Sequence, residues 1–440
     1  MRRILILFQE SIFVRNSIVL FAGTMAANVL NYVFHFSLGR MVDAETYGAL
    51  QSLIALLAIV LVPAAALTMI ATKYGAIAKA RKDYIFGYNL FSYLNKRIVK
   101  YGWPLIIIGI FLIPLTKSFL RIDDTFAIMF LWILVAFSFF SSASMGILSG
   151  WQKFGEINTA GIVGTGAKLL LGIFFAYLGF GLDGIVFGLM LAGVISYFIS
   201  VKKLGFLSRG RKESQTVNLE ATEKTIDFSS MRKYVTIALT GTLGLVALGN
   251  VDIVLAKHIL DPELAGAYGA LSVVAKIIFF ATGVIATVLF SMSSESVEKN
   301  NNNNNGRPRN FFVFWSAFAL TIIVSAVAIS FYFIFPEFVM RIFFGGKYLA
   351  VTSLLGWFGL AAGLYAVVNL ILQQLLAMHI TRAAQWILAI TIAESIILFF
   401  FGSSITSIIT IVIGAQVFAL IFGLAFVFKE CRMKDVNFKI

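Results

Sequence analysis

Long apolar runs of about twenty residues, separated by short polar stretches, follow one another along the chain. A helix crossing a hydrocarbon core of ~30 Å needs about 20 predominantly apolar residues, so each run predicts a membrane-spanning helix. The runs fall near 16–38, 47–72, 101–118, 126–149, 158–180 and 184–201, then near 233–256, 266–290, 311–335, 351–376, 385–402 and 404–428. The pattern therefore predicts an all-α polytopic membrane protein with twelve transmembrane helices. Strands of a membrane barrel would alternate apolar and polar residues, and these runs do not. Residues 1–15 place Arg2 and Arg3 before a short apolar stretch with no small-residue cleavage site after it, which reads as an interfacial helix on the cytoplasmic surface.

Two polar segments interrupt the apolar rhythm. One is a linker over 202–232; the other is the asparagine-rich loop over 291–310, with six consecutive asparagines at 300–305. Both read as flexible cytoplasmic connections. The linker divides the chain into a six-span bundle over 16–201 and a second over 233–428, followed by a cytoplasmic tail over 429–440. The halves echo one another. Tyr47-Gly48-Ala49-Leu50 recurs as Tyr268-Gly269-Ala270-Leu271, and Gly23-Thr24 recurs as Gly241-Thr242. Two halves of six spans that start on the same side form a parallel repeat, a plan common among secondary transporters, with the binding site between the halves.

Composition narrows the class. The chain is 60% hydrophobic and 13% charged, with a mean hydropathy of +0.92; soluble domains average about 25% charged residues. A soluble enzyme is excluded, and Cys431 as the single cysteine excludes a disulfide scaffold. The net charge of +14 reflects loop composition, not nucleic-acid binding. With the N-terminus cytoplasmic, 27 Lys and Arg fall on the inner side and 6 on the outer. That bias predicts a plasma-membrane protein with both termini cytoplasmic. There is no phosphate-binding glycine loop, no metal-ligand cluster among three histidines and one cysteine, and so no expected cofactor. The acidic pair Asp123-Asp124 sits on a short outer loop with too little hydrophilic chain around it for a glycosyltransferase.

Gly39-Arg40, Glu45, Tyr47-Gly48 and Leu50-x-x-Leu53 resemble the first-hairpin signature of the polysaccharide transporter branch of the MOP exporter superfamily. The resemblance in span count, loop pattern and half repeat covers essentially the whole chain. It implies a MATE-like pair of pseudo-symmetric six-helix bundles working by alternating access. The implied activity is not enzymatic: it is the flipping of polyprenyl-pyrophosphate-linked oligosaccharide from inner to outer leaflet, for O-antigen, lipopolysaccharide or another surface polysaccharide. Membrane lipids, and polysaccharide polymerase and glycosyltransferase machinery, are the implied partners. The alternatives are a cation-coupled multidrug antiporter of the same superfamily and a membrane glycan polymerase or ligase.

Polar residues inside the spans supply the candidate site, because charge in hydrocarbon is costly and marks function. Thr24, Asn28, Asn31 and His35 form one helical stripe in span 1, running towards Arg40 at its outer end. The stripe reads as a wet wall that hydrogen-bonds sugars, or as interhelical glue. Lys168 in span 5 and Lys276 in span 8 match a pyrophosphate in charge. The alternative for Lys168 is a structural pair with Glu394 in span 11. Asn250 joins the substrate-binding set. Asp252 and Glu394 are candidates for carrying a coupling proton or sodium ion, or for a plain ion pair. Arg40 and Lys257 end equivalent spans, and Asn369, Gln373 and Gln374 mark span 10. Pro63, Pro104, Pro114 and Pro336 are expected bending points.

Overall fold

The computed structural model describes the backbone of residues 2–208, 228–300, 307–377 and 380–436, and among these residues there is no strand. The central asparagines 301–305 and most of the linker, 209–227, lie outside the described residues. Among the described residues fifteen α-helices follow in order: α1 Arg2–Met41, α2 Ala44–Val60, α3 Val62–Arg81, α4 Tyr84–Leu120, α5 Thr125–Gly150, α6 Phe154–Tyr177 and α7 Gly181–Lys203. After the linker come α8 Phe228–Leu248, α9 Val251–Ile259, α10 Pro262–Asn300, α11 Arg307–Ile334 and α12 Pro336–Phe344. The last three are α13 Leu355–Ala377, α14 Thr381–Phe401 and α15 Ile405–Val436.

Eight described helices are long and apolar enough to cross a membrane. The bent pairs α2/α3 (44°) and α8/α9 (41°) bring the number to ten where each pair is one span, and shorter apolar helices, Ile106–Leu120 and Gln385–Phe401, lie at the two remaining expected places. The protein is a multi-pass membrane protein with an apolar helix at each of the twelve expected places. Local chemistry sets the breaks. Pro63 opens α3 where its missing N–H costs nothing. Asn250 leaves the helical region at φ −141° between α8 and α9. Asp83 caps α4 by accepting from the Phe86 N–H at 2.8 Å. The surface helix expected over 1–15 is continuous with the first span, since no glycine or proline before Gly23 would break α1. At ~1.5 Å per residue, α1 and α4 are about 60 and 55 Å long, so both extend beyond the hydrocarbon.

The helices form two compact units: Met1–Val42 with Val60–Val235, and Asp43–Ile59 with Thr236–Ile440. The first six spans, expected over 16–201, therefore lend α2 to the second unit. Glycine permits this. A Cβ on Gly48 would come within 2.7 Å of the Gly266 amide nitrogen, and one on Gly266 would run into the Ala44 carbonyl, so α2 and α10 approach backbone to backbone. In unit 1 the packing order is α1, α6, α7, α5, α3, with α4 against α5 and α3. Unit 2 repeats it: α9, α14, α15, α13, α10, with α11 against α13 and α10. The internal repeat read from two tetrads is thus matched by neighbour order.

Candidate functional site

Each unit holds a polar cluster within its apolar helices. In unit 1 it forms where α1 packs on α6. The Lys168 ammonium donates to Asn31 Oδ1 at 2.7 Å and lies 4.2 Å from the centre of the Phe34 ring. Asn31 and Phe34 are three residues apart, so one face of α1 offers an amide oxygen and an aromatic face to the same cation. Gly172, one turn beyond Lys168 on α6, leaves room for the Phe34 ring. No carboxylate lies within hydrogen-bond reach of Lys168 among the described residues. His35 is buried with its ring edge-on to Phe34 at 5.2 Å. Asn28 is half-buried, whereas Thr24 is exposed and donates to its own helix at Leu20 O. Arg40 is exposed at the end of α1.

Unit 2 builds its cluster from α8, α9, α10, α13, α14 and α15. Lys276 on α10 donates to Asn250 Oδ1 at 3.0 Å, and Asn250 donates to Val246 O. Asp252 accepts from the Tyr268 hydroxyl at 2.6 Å. Among the described residues its other oxygen accepts no hydrogen bond, nor does either oxygen of Glu394, which is 1% exposed. Asp252, Lys276, Tyr365 and Gln416 line a cavity of about 30 Å³, close to the volume of one water molecule. Tyr365 donates to Leu245 O, fixing α13 against α8. Lys257 is buried at the end of α9, and Asn369 and Gln374 are buried on α13.

The spacing of polar residues located Asn31, Lys168, Asn250, Asp252, Lys276 and Glu394. It missed Phe34, Tyr268, Tyr365 and Gln416, whose roles depend on which helices meet. The one available signal was Phe34, three residues after Asn31. Outside the spans, Asp123 pairs with Lys117 at 3.7 Å, and Asp124 is pushed above the usual carboxylate range by burial and by neighbouring Asp183. Asp183 in turn accepts from the Ala127 N–H at 2.6 Å. The acidic pair belongs to the α4–α5–α7 loop junction.

The fold is one seen in solved transporters of the MOP superfamily. Over 96% of this chain and 99% of the other, it matches an inward-facing multidrug resistance MATE family transporter at 14% identity and TM-score 0.68. A lipid II flippase, MurJ, in an inward closed conformation matches at 12% identity and TM-score 0.63, over 93% and 87% of the two chains. A MOP superfamily transporter from Pyrococcus furiosus, described as having a binding pocket of reversed polarity, matches at 16% identity and TM-score 0.51, over 94% and 95%. No curated protein matches by sequence. Residues 13–297 match the family described as polysaccharide biosynthesis protein, and the chain belongs to that family.

Proposed function

We propose that the protein is a flippase that carries polyprenyl-pyrophosphate-linked oligosaccharide from the inner to the outer leaflet by alternating access. The observation that carries the reading is Lys168: a membrane-embedded ammonium held by a neutral amide and an aromatic ring, with no carboxylate in reach among the described residues. A cation kept inside hydrocarbon without a counter-ion suits an anionic group that arrives and leaves. Pyrophosphate is such a group, and a family of polysaccharide biosynthesis proteins supplies its setting. Asn28, Asn31, His35 and Asn250 hydrogen-bond the glycan, Arg40 meets headgroups at the outer end of α1, and Lys276 adds a second cation. Asp252, with one oxygen free of donors among the described residues, and Glu394, with both, take up the coupling proton or sodium ion. The protein resides in the plasma membrane with both termini in the cytoplasm, as the charge bias of its loops supports.

The test is flipping in proteoliposomes, read by access of an impermeant glycosidase to a polyprenyl-linked oligosaccharide. Wild type is expected to expose the glycan and Lys168→Ala to expose it at least tenfold more slowly, the loss of a charge-assisted hydrogen bond worth about 1.5–3 kcal/mol. Lys276→Ala is expected to have the smaller effect, because Asp252 lines the same cavity. A second reading, a cation-coupled multidrug antiporter, draws on the two buried carboxylates of unit 2, Asp252 and Glu394. Efflux of cationic dyes without any glycan flipping would favour it.

A further inference from the structure

Unit 1 contains another polar feature, which neither lysine nor the α1 stripe uses. Between α3, α5 and α7 lies an open cavity of about 260 Å³ lined by five hydroxyl residues, Thr68, Ser138, Ser141, Ser142 and Ser196, together with Met145 and Gly193. The spacing 138, 141, 142 puts three of them on one face of α5.

Their hydrogen bonds decide what the cavity can receive. Ser138 donates to Leu134 O at 2.8 Å, Ser142 to Ser138 O at 2.8 Å, Ser196 to Ala160 O at 3.3 Å, and Thr68 to Ala64 O at 3.3 Å. A hydroxyl has one proton and two acceptor lone pairs. Four of the five commit the proton to a backbone carbonyl and face the cavity as acceptors. An anion finds almost no donors there, and a cation finds no countercharge. A neutral group rich in O–H or amide N–H donors satisfies the lining, and sugar rings are such groups. The size agrees. Pockets for whole drug-sized ligands start near ~300 Å³, so this one is on the scale of a single ring. The cavity between the corresponding helices of unit 2 holds only about 30 Å³ and is lined by Asp252 and Lys276.

The pocket also reaches α6, the helix that carries Lys168. Ser196 bonds Ala160 O on α6, and its side chain packs on Gly164. Lys168 is one turn further along that face of α6, about 6 Å on. A sugar in the hydroxyl pocket and a pyrophosphate at Lys168 can therefore belong to one molecule.

We propose that the α3–α5–α7 pocket is a monosaccharide subsite that holds one neutral sugar of the lipid-linked glycan while Lys168 holds its pyrophosphate. The assignment rests on the flippase reading and adds to it which part of the substrate unit 1 reads.

The test compares binding of polyprenyl pyrophosphate with that of the same lipid bearing one hexose, N-acetylhexosamine or deoxyhexose, using the full chain in nanodiscs. For wild type, at least one sugar-bearing lipid binds more tightly than the bare lipid. Combining Ser138→Ala with Ser142→Ala removes that gain, about tenfold for two neutral hydrogen bonds, and leaves bare-lipid affinity unchanged. Ser141→Phe, which fills the cavity, does the same. Lys168→Ala weakens both lipids. The proposal is overturned if no sugar strengthens wild-type binding, or if monodisperse serine variants lose affinity for both lipids alike. If the double variant is not monodisperse, the single change Ser141→Ala carries the same comparison. Wild type that binds neither lipid sinks the flippase reading itself.

Discussion

An ammonium at the centre of a bilayer costs about 2.5–3.5 kcal/mol on insertion scales, and Lys168 recovers only part of that from Asn31 and Phe34. A residue kept at such a cost for structural reasons and one kept for function behave oppositely when replaced. If Lys168 closed a buried ion pair, removing it would leave a bare carboxylate and cost about 3–5 kcal/mol. The structure gives it an amide partner instead. Lys168→Met, similar in length and without charge, is therefore expected to raise the thermal midpoint while abolishing binding of a pyrophosphate lipid. A scanning-fluorimetry midpoint that falls by several degrees would return Lys168 to a structural role. Sequence spacing was sufficient to single out this lysine and Asn31. It set Phe34 on the same face, three residues after Asn31, but an apolar residue in an apolar span does not disclose the cation above its ring.

At the level of helices, glycine sets the closest approaches. α3 and α5 cross where a Cβ on Gly146 would lie 2.7 Å from Thr68 O, and one on Gly150 would collide with Thr72 O. Gly161 on α6 has nothing within 4 Å of a Cβ. Gly150→Val is expected to destabilise by about 1–3 kcal/mol through overpacking, and Gly161→Ala to stabilise by about 0.5–1 kcal/mol by restricting the unfolded chain. Thermal unfolding of the two variants beside wild type checks both signs. The same crossings explain what the apolar pattern could and could not disclose. Every span announced itself, since hydrocarbon thickness demands a long apolar run. The break at Leu61 did not, because apolar residues continue through it and only Pro63 hints at a new helix. Nor did the assignment of α2 to unit 2, which depends on a partner 218 residues away from Gly48, at Gly266.

Across the whole molecule, the repeat keeps the neighbour order and changes the chemistry. Unit 1 carries Lys168 with neutral partners; unit 2 carries Lys276 together with Asp252 and Glu394. The repeat was legible because Tyr-Gly-Ala-Leu survives in both halves, and the chemical divergence was legible in which charges stand in which span. Under the flippase reading this asymmetry has an electrical consequence. Moving one charge across the membrane potential is worth about 2.3 kcal/mol per 100 mV. A pyrophosphate near −2 bound to Lys168 gives a loaded complex near −1, driven outward by a negative interior. The empty carrier, near +1 at Lys168, is driven back inward by the same field. The two half-steps together supply at most about 4–5 kcal/mol per 100 mV, so potential alone can turn the cycle without a coupling ion. Initial flipping in proteoliposomes clamped with potassium and valinomycin should therefore quicken with negative potential on the loading side, in wild type and in Glu394→Gln alike. Gradients of protons or sodium should add to that rate in wild type only. A Glu394→Gln variant that still answers to pH or sodium would remove Glu394 from coupling, and flipping indifferent to potential would mean that a compensating cation crosses with the lipid.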